Sequence, residues 1–336
     1  NAAEPIRADT LKFFHKKFRV CGFKFESFFP AYGMAEATVF IAGGSAGKGA
    51  IIHQFNQDEL HNLKAVAVDK SASNESVCQF VSCGDVAAQH EIRIVDPQNL
   101  QPLNEGEVGE IWFHGASVGA GYWGRVQQSE EIFRATIAGE GNGKTYLRTG
   151  DLGFVRNGEI FISGRIKDMI IVNGLNYFPQ DIEVAAQTAA IPVASFGMCA
   201  AFSITEDNQE KLIVVLELRL RQISGDIPEK LQKLISQAIA EEFGLELNSL
   251  VLTHFGSVPK TSSGKVQRSR CKQLYLNDGL KTFVEAKNNQ AHSDSELPYV
   301  IDLSRIRQLN KLERERDLTI FAMNEISTLF KKRVGK

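Results

Sequence analysis

Residues 146–168 read YLRTGDLGFVRNGEIFISGRIKD, and this stretch divides the chain into two kinds of structure. Asn157-Gly158 sits between apolar runs and predicts a two-residue hairpin turn, since the favoured turn needs positive φ at both central positions. Upstream, EIRIV (91–95) and EVGEIWF (107–113) alternate or run apolar, as GEIFIS (158–163) does, and Asp96-Pro97 and Gly106 break them. These runs predict strands, so 91–163 is β-rich, with one helix fitting 127–137. Beyond Gly164 the periodicity changes. Helices are predicted over 179–189, opening on Pro179, and over 227–243, where Asp226 can cap, Pro228 lies in the first turn and Gly244 stops the helix. Strands are predicted over 194–202, 211–219 and 250–255. A second, smaller α+β domain follows from that change.

Working outward, Leu11, Phe14 and Phe18 recur at helical spacing within 8–19, and Ser27 to Ala31 reads as a strand entering a Tyr32-Gly33 turn. Strand-to-loop junctions are where sites concentrate. Residues 43–82 are irregular: a Gly/Ala/Ser run, alternating LKAVAV at 63–68, then turn-rich SASNES at 71–76, together read as an insertion. From about 283 to 300 the chain is polar and breaker-rich, a linker composition. Leu303, Ile306, Leu318, Ala322, Ile326 and Leu329 then mark amphipathic helix, with Lys331, Lys332 and Arg333 near an end where the helix dipole favours cations. The expected organisation is 1–164 as part of a large domain, 165–282 as a small one, 283–300 as linker and 301–336 as helical tail.

The 336 residues exceed one typical domain, and 43% hydrophobic content is enough for real cores. A net charge of −2 leaves no electrostatic footprint for nucleic acid or an anionic membrane, so small molecules and proteins are the expected partners. Cys21, Cys78, Cys83, Cys199 and Cys271 are scattered and show no CxxC spacing, which argues against a disulfide framework or zinc site and for a cytoplasmic setting. No window of about 18 apolar residues is present to span a membrane, and no signal-peptide pattern opens the chain. It begins with Asn1 rather than Met, and is read as opening inside a longer polypeptide.

Four stretches carry chemical potential: Tyr32-Gly33-Met34-Ala35-Glu36, Tyr146 to Asp151, Gly164-Arg165-Ile166-Lys167-Asp168, and Pro259-Lys260-Thr261-Ser262-Ser263-Gly264-Lys265. Singly each is weak, and their bland readings are caps, turn residues and surface charges. In order and spacing, and over about 1–282, they resemble the later signature motifs of the adenylate-forming superfamily of acyl-CoA synthetases, nonribosomal adenylation domains and luciferases. Asn1-Ala2-Ala3-Glu4-Pro5 is similar to the Gly-Ala-Glu-Pro segment that lines adenine in that family. GGSAGK at 43–48 is no phosphate loop: Ala42 stands where its first glycine belongs, and Gly49 follows the lysine in place of Ser or Thr.

The resemblance implies an α/β multidomain fold: the remainder of a large α/β N-terminal domain with a β-barrel-like subdomain, then a small mobile α+β C-terminal domain. It implies ATP and Mg²⁺ as cofactors. Ala3, Glu4, Pro5, Tyr32, Gly33, Met34 and Ala35 would line the nucleotide, Asp151 would accept hydrogen bonds from both ribose hydroxyls, and Arg165 would clamp the same ribose. Glu36 would hold the metal, Lys167 would be the hinge, with Gly164 beside it suiting a conformational change, and Lys265 would bridge the carboxylate and α-phosphate oxygens.

The long interval between Glu36 and Asp96 of EIRIVDP, with YGMAEAT, VSCG and YLRTGDLGF, resembles the fatty acyl-AMP ligases within that superfamily. Asp85-Val86, where the family has a basic residue and proline, and Ala2 in place of glycine are departures that touch the barrel edge and the adenine packing. That resemblance implies a monomer that activates a fatty acid and passes the acyl group to the phosphopantetheine thiol of an acyl carrier protein, or of a polyketide or nonribosomal synthase. The tail LNKLERERDLTIFAMNEISTLFKK resembles the first helix of an acyl-carrier domain; a docking helix is the alternative. No DSL-type pantetheine serine is present. The Ser/Thr/Gly-rich loop that grips the β- and γ-phosphates is absent from these residues, so the chain by itself is expected to be inactive. An acyl-CoA synthetase, another acid's adenylation domain and a non-catalytic nucleotide- or carrier-binding fragment are the other readings.

Overall fold

The computed structural model describes residues 1–287, apart from 69–75, 142, 207–208, 221–222, 224 and 263; the predicted tail helix and the linker beyond 287 lie outside the described residues. In chain order the elements are α1 (Ala8–Phe18), β1 (Ala31–Tyr32), β2 (Ala42–Gly43), β3 (Ile52–Asn56), α2 (Gln57–His61), β4 (Val77–Val81), β5 (Asp85–Val86), β6 (Glu91–Val95), β7 (Gly109–His114), α3 (Val126–Phe133), β8 (Leu147–Arg156) and β9 (Glu159–Arg165). They continue as β10 (Ile170–Val172), β11 (Leu175–Tyr177), α4 (Pro179–Ala190), β12 (Phe196–Glu206), β13 (Gln209–Leu218), α5 (Ile227–Phe243), β14 (Leu247–His254), α6 (Arg268–Leu276) and β15 (Thr282–Lys287).

The β-rich stretch is a four-stranded antiparallel sheet ordered β6-β7-β8-β9. The Asn157-Gly158 turn forms as the dipeptide requires, with φ of 52° and 81° between the paired Arg156 and Glu159. The stretch carrying the TGD motif is β8, ten residues long. Its opening glycine and acid hide it from an apolar count, because its pairing depends on neighbours on both sides. The helix expected over 127–137 ends early, at Phe133. The strand expected over 27–31 shrinks to Ala31–Tyr32, since Phe25–Ser27 coils into a 3₁₀ turn and Pro30 has no N–H to give a ladder.

Segment 43–82 is built into the fold. Its antiparallel β3–β4 pair carries Phe55, which packs with Phe154 and Phe161, while Leu60 of α2 joins the same core as Phe178 and the half-buried Ile166 and Met169. Asn56 caps α2 by accepting a hydrogen bond from the Glu59 N–H at 3.0 Å. The segment's apolar face is therefore shared with residues on both sides of Gly164.

After Gly164 the sheet runs β12-β13-β14-β15, with β13 and β14 parallel and α5 as their crossover. Leu231, Ile235 and Ile239 of α5 and Ile182, Ala186 and Ala190 of α4 fill one core with Leu212, Val214, Leu216 and Leu218 of β13. The opposite face packs Ile213 and Val215 against Val258 and Cys271. Gly244 ends α5 in the left-handed region, as predicted, but Asp226 does not cap it: its carboxylate turns to Lys230 Nζ at 2.8 Å. Residues 283–287, read as linker, complete β15 against β14. Phe161→Ala is expected to cost about 3–5 kcal/mol, because its ring is fully buried, stacks on Phe154 at 4.9 Å and meets Phe55 at 5.6 Å. Urea denaturation of the purified chain reads this as a lowered midpoint.

Candidate functional site

Tyr32, Asp151 and Arg165 come from three separate motifs, and the fold joins them. Tyr32 Oη donates to Asp151 Oδ2 at 2.9 Å, and Arg165 Nε donates to Asp151 Oδ1 at 2.8 Å. The second contact is fixed by strand register, because Asp151 and Arg165 are directly paired in the β8–β9 ladder. Tyr32 and Asp151 are buried, whereas the Arg165 side chain is half exposed. Burial, and then the Asp151 carboxylate, pushes the Tyr32 phenol well above its ordinary range, so it stays protonated and remains a donor. Burial opposes the Arg165 charge, but the facing Asp151 holds it and raises its pKa.

The carboxylate is aimed by its neighbours. Thr149 Oγ accepts from the Asp151 N–H at 3.1 Å and donates to the Ile111 carbonyl at 2.7 Å. Beside it Arg148 donates to the buried Glu110 carboxylate, 3.0 Å from Nε and 2.8 Å from Nη2, and the Gly150 N–H reaches Glu110 Oε1 at 3.1 Å. Arg148 also lies over Trp112, 5.4 Å from the ring centre. Thr149, Glu110 and Arg148 are not among the residues the motifs assign a role. Glu110 carried a signal: an acid inside the apolar run EVGEIWF has to find a partner.

Gly33 has to be glycine, since an added Cβ would lie 1.5 Å from the Val39 carbonyl oxygen. That tight return brings Met34 and the 3₁₀ turn Ala35–Ala37 round, with Thr38 and Val39 held at positive φ of 54° and 79°. Such strain in non-glycine residues recurs at functional sites. Glu36 Oε1 accepts from Tyr122 Oη at 2.7 Å, and its carbonyl accepts from the Gly119 N–H at 2.8 Å. Burial and the Glu36 carboxylate push the Tyr122 phenol up to about 12. Nothing in the sequence paired Tyr122 with Glu36.

Among the described residues no group of three or more His, Cys, Asp or Glu could hold a metal ion. Glu36 offers a single hard oxygen ligand, which fits Mg²⁺, an ion usually held by one or two carboxylates together with phosphate oxygens and water.

Ala3, Glu4 and Pro5 are exposed and lie beside β1, since Asn1 accepts from the Ala31 N–H and its ammonium donates to the Phe29 carbonyl, both at 2.8 Å. Ala3 has φ of 82°. Lys167 is exposed on the 3₁₀ turn Ile166–Asp168. Gly164 packs closely beside it: an added Cβ would lie 3.2 Å from the Phe178 ring. Lys265 is half-buried in the loop before α6, and among the described residues no hydrogen bond or ion pair ties it to Tyr32, Glu36, Asp151 or Arg165. The hydrogen bonds give one group of Tyr32, Asp151 and Arg165 and a second of Tyr122 with Glu36, which lies four residues on from Tyr32, and among the described residues Lys265 is bonded to neither.

Residues 1–123 match the model of the AMP-binding enzyme family, and residues 167–285 that of the Disco-interacting protein 2-like AMP domain. The medium-chain-fatty-acid–[acyl-carrier-protein] ligase JamA of Moorena producens is 38% identical over 83% of this chain and 47% of its own. The long-chain-fatty-acid–AMP ligase FadD32 of Mycolicibacterium smegmatis is 33% identical over 84% and 49%. A solved structure from work on fatty acyl-adenylate ligases of E. coli and L. pneumophila aligns with a TM-score of 0.72 at 33% identity, over 82% of this chain and 47% of that one. The chain thus spans about half the length of the curated relatives it matches.

Tyr32→Phe takes one donor from a buried carboxylate, which is expected to destabilise the chain by about 1–3 kcal/mol. The urea midpoint should fall with the slope unchanged.

Proposed function

This chain belongs to the fatty acyl-AMP ligases of the adenylate-forming superfamily, and on that premise we propose that its polypeptide joins a fatty acid to ATP and hands the acyl group to a carrier protein. The fatty carboxylate attacks the ATP α-phosphorus, forming acyl-AMP and releasing pyrophosphate; a phosphopantetheine thiol then attacks the acyl carbon, forming a thioester and releasing AMP and a proton. The observation that carries this reading is the convergence of Tyr32, Asp151 and Arg165, which the sequence separates widely, on one buried carboxylate.

Each oxygen of Asp151 accepts one protein donor and keeps lone-pair capacity for another, which is what a vicinal diol needs. Tyr32, with Gly33, Met34 and Ala35 following it, forms the nucleotide wall, and Ala3-Glu4-Pro5 lies beside that strand. Glu36 is the carboxylate for Mg²⁺, whose charge offsets that of the phosphates. Lys265 supplies a compact cation to the oxygens between carboxylate and α-phosphate. Among the described residues no bond ties Lys265 to the Asp151 group, and a turn of the small domain about Lys167 is the movement that would bring it in.

Acceptor choice fits the contacts of segment 43–82. Asn176 Nδ2 donates to the His61 carbonyl at 3.1 Å, and the His61 and Tyr177 rings are 4.5 Å apart. These contacts stabilise one orientation of the small domain over others, and only such a difference shifts populations. A carrier protein brings its own interface to offset that bias; free coenzyme A brings little surface. Removing the whole segment would strip Phe55 and Leu60 from the core they share with Phe154 and Phe161, so point substitutions are the cleaner probe.

In the complete polypeptide, Lys265→Ala is expected to lower fatty-acid-dependent ATP–pyrophosphate exchange by about 10²–10³, while transfer from preformed acyl-adenylate falls far less. Equal losses in both steps, or no exchange with any fatty acid in the unaltered enzyme, would contradict the reading. The double change His61→Ala, Asn176→Ala should raise acyl-coenzyme A formation relative to acyl-carrier formation by about fivefold. Coenzyme A left unused by a folded, adenylating variant would place the barrier elsewhere.

A further inference from the structure

The loop that carries Lys265 stands on two buried carboxylates from different elements. Glu217 is fully buried on β13, on the face where Ile213 and Val215 meet Val258 and Cys271. Its Oε1 accepts from the Val258 N–H and its Oε2 from the Met198 N–H, each at 2.9 Å. The sheet deforms to allow this. The β12–β13 register breaks between Phe196 and Cys199, which turns Met198 toward the carboxylate. Gly197 leaves the room, since a Cβ there would lie 2.4 Å from Glu217 Oε2. Among the described residues Glu217 has no ion pair, so an isolated acid has been taken out of water for two backbone bonds. Burial of that kind is costly and is offset here by the two hydrogen bonds the carboxylate accepts.

Past the loop, Arg268 opens α6 and forks onto Glu183 of α4, Nε to Oε1 at 2.6 Å and Nη2 to Oε2 at 2.7 Å. Glu183 also accepts from the Ala201 N–H of edge strand β12 at 3.0 Å. Arg268 Nη1 reaches Asp168, in the turn that follows Arg165, at 3.4 Å. Between these mounts the chain closes on itself. The Gln267 N–H meets the Pro259 carbonyl and the Thr261 N–H the Lys265 carbonyl, both at 2.9 Å, while the Lys265 N–H meets Thr261 Oγ at 3.1 Å.

We propose that Glu217 and the Glu183–Arg268 pair are positioning residues that hold residues 259–262 and 264–267 rigid, so that Lys265 arrives at the reacting oxygens in a fixed place. The inference rests on the proposed role of Lys265. Neither carboxylate touches substrate; each acts through the loop backbone. Misplacing a charge by about 1 Å costs on the order of 10²-fold in rate, so a loose mount is felt in the adenylation step. The thiol step, which proceeds with the small domain turned away, does not use it.

Glu217→Gln keeps shape but sets an amide N–H₂ against a backbone N–H. Arg268→Lys keeps charge beside Glu183 but loses the fork, and it tests the second mount independently should the first variant not fold. In this chain each is expected to raise amide hydrogen exchange across 259–262 and 264–267 by about tenfold or more. In the complete polypeptide each should lower the adenylation kcat by about 10- to 100-fold, leave KM for ATP within about twofold, and spare transfer from preformed acyl-adenylate. Unchanged loop exchange, or equal falls in both half-reactions, would overturn the proposal. So would full adenylation in these variants while Lys265→Ala is inactive. Undiminished adenylation by Lys265→Ala would instead overturn the assignment of Lys265 itself.

Discussion

The structure turns on a buried carboxylate that cannot be left alone. Asp151 sits where β8 and β9 pair, and taking its charge out of water is tolerable only because Tyr32 and Arg165 each give it a donor. That requirement reaches far along the chain. Tyr32 is delivered by a short strand whose following glycine admits no Cβ, Arg165 by the register of a hairpin closed at Asn157-Gly158, and Thr149 by its bond to the Ile111 carbonyl. The two remaining acceptor directions are what suit the site to a ribose.

The same logic recurs elsewhere in the chain, on β7 of the first sheet, on α4 and on β13 of the second sheet. Glu110, Glu183 and Glu217 are all buried acids, and each holds a backbone N–H as well as, for the first two, an arginine fork. A carboxylate with two oxygens can fasten two segments at once, which an apolar contact does without direction. Each therefore marks a place where the backbone has to stand in a defined position: beside Asp151, at the edge of β12, and at the root of the Lys265 loop.

Much of this was legible in the sequence. Asn157-Gly158 marked the hairpin, and Pro179 and Gly244 marked helix ends, the first because a proline suits an opening turn and the second because the left-handed cap favours glycine. The site motifs were legible by order and spacing. What escaped had weak local signal. In α6, RSRCKQLYL, only Cys271 is buried, so no apolar stripe announces the helix. β15 is an edge strand whose pairing with β14 is non-local. Asp226 looked like a cap, but Lys230 one turn on offered its carboxylate a charged partner. The bonds from Tyr122 to Glu36 and from the Val258 N–H to Glu217 span long separations, and no periodicity encodes them.

The most direct test of the account is calorimetric titration of the complete polypeptide with an acyl-sulfamoyl adenosine and with its 2′,3′-dideoxy counterpart. If Asp151 receives the ribose hydroxyls, the intact diol should bind tighter by about 10- to 100-fold, as expected for hydrogen bonds to a charged group, and Asp151→Asn should remove most of that preference. Equal binding of the two ligands, or a preference that survives in a folded Asp151→Asn variant, would contradict it.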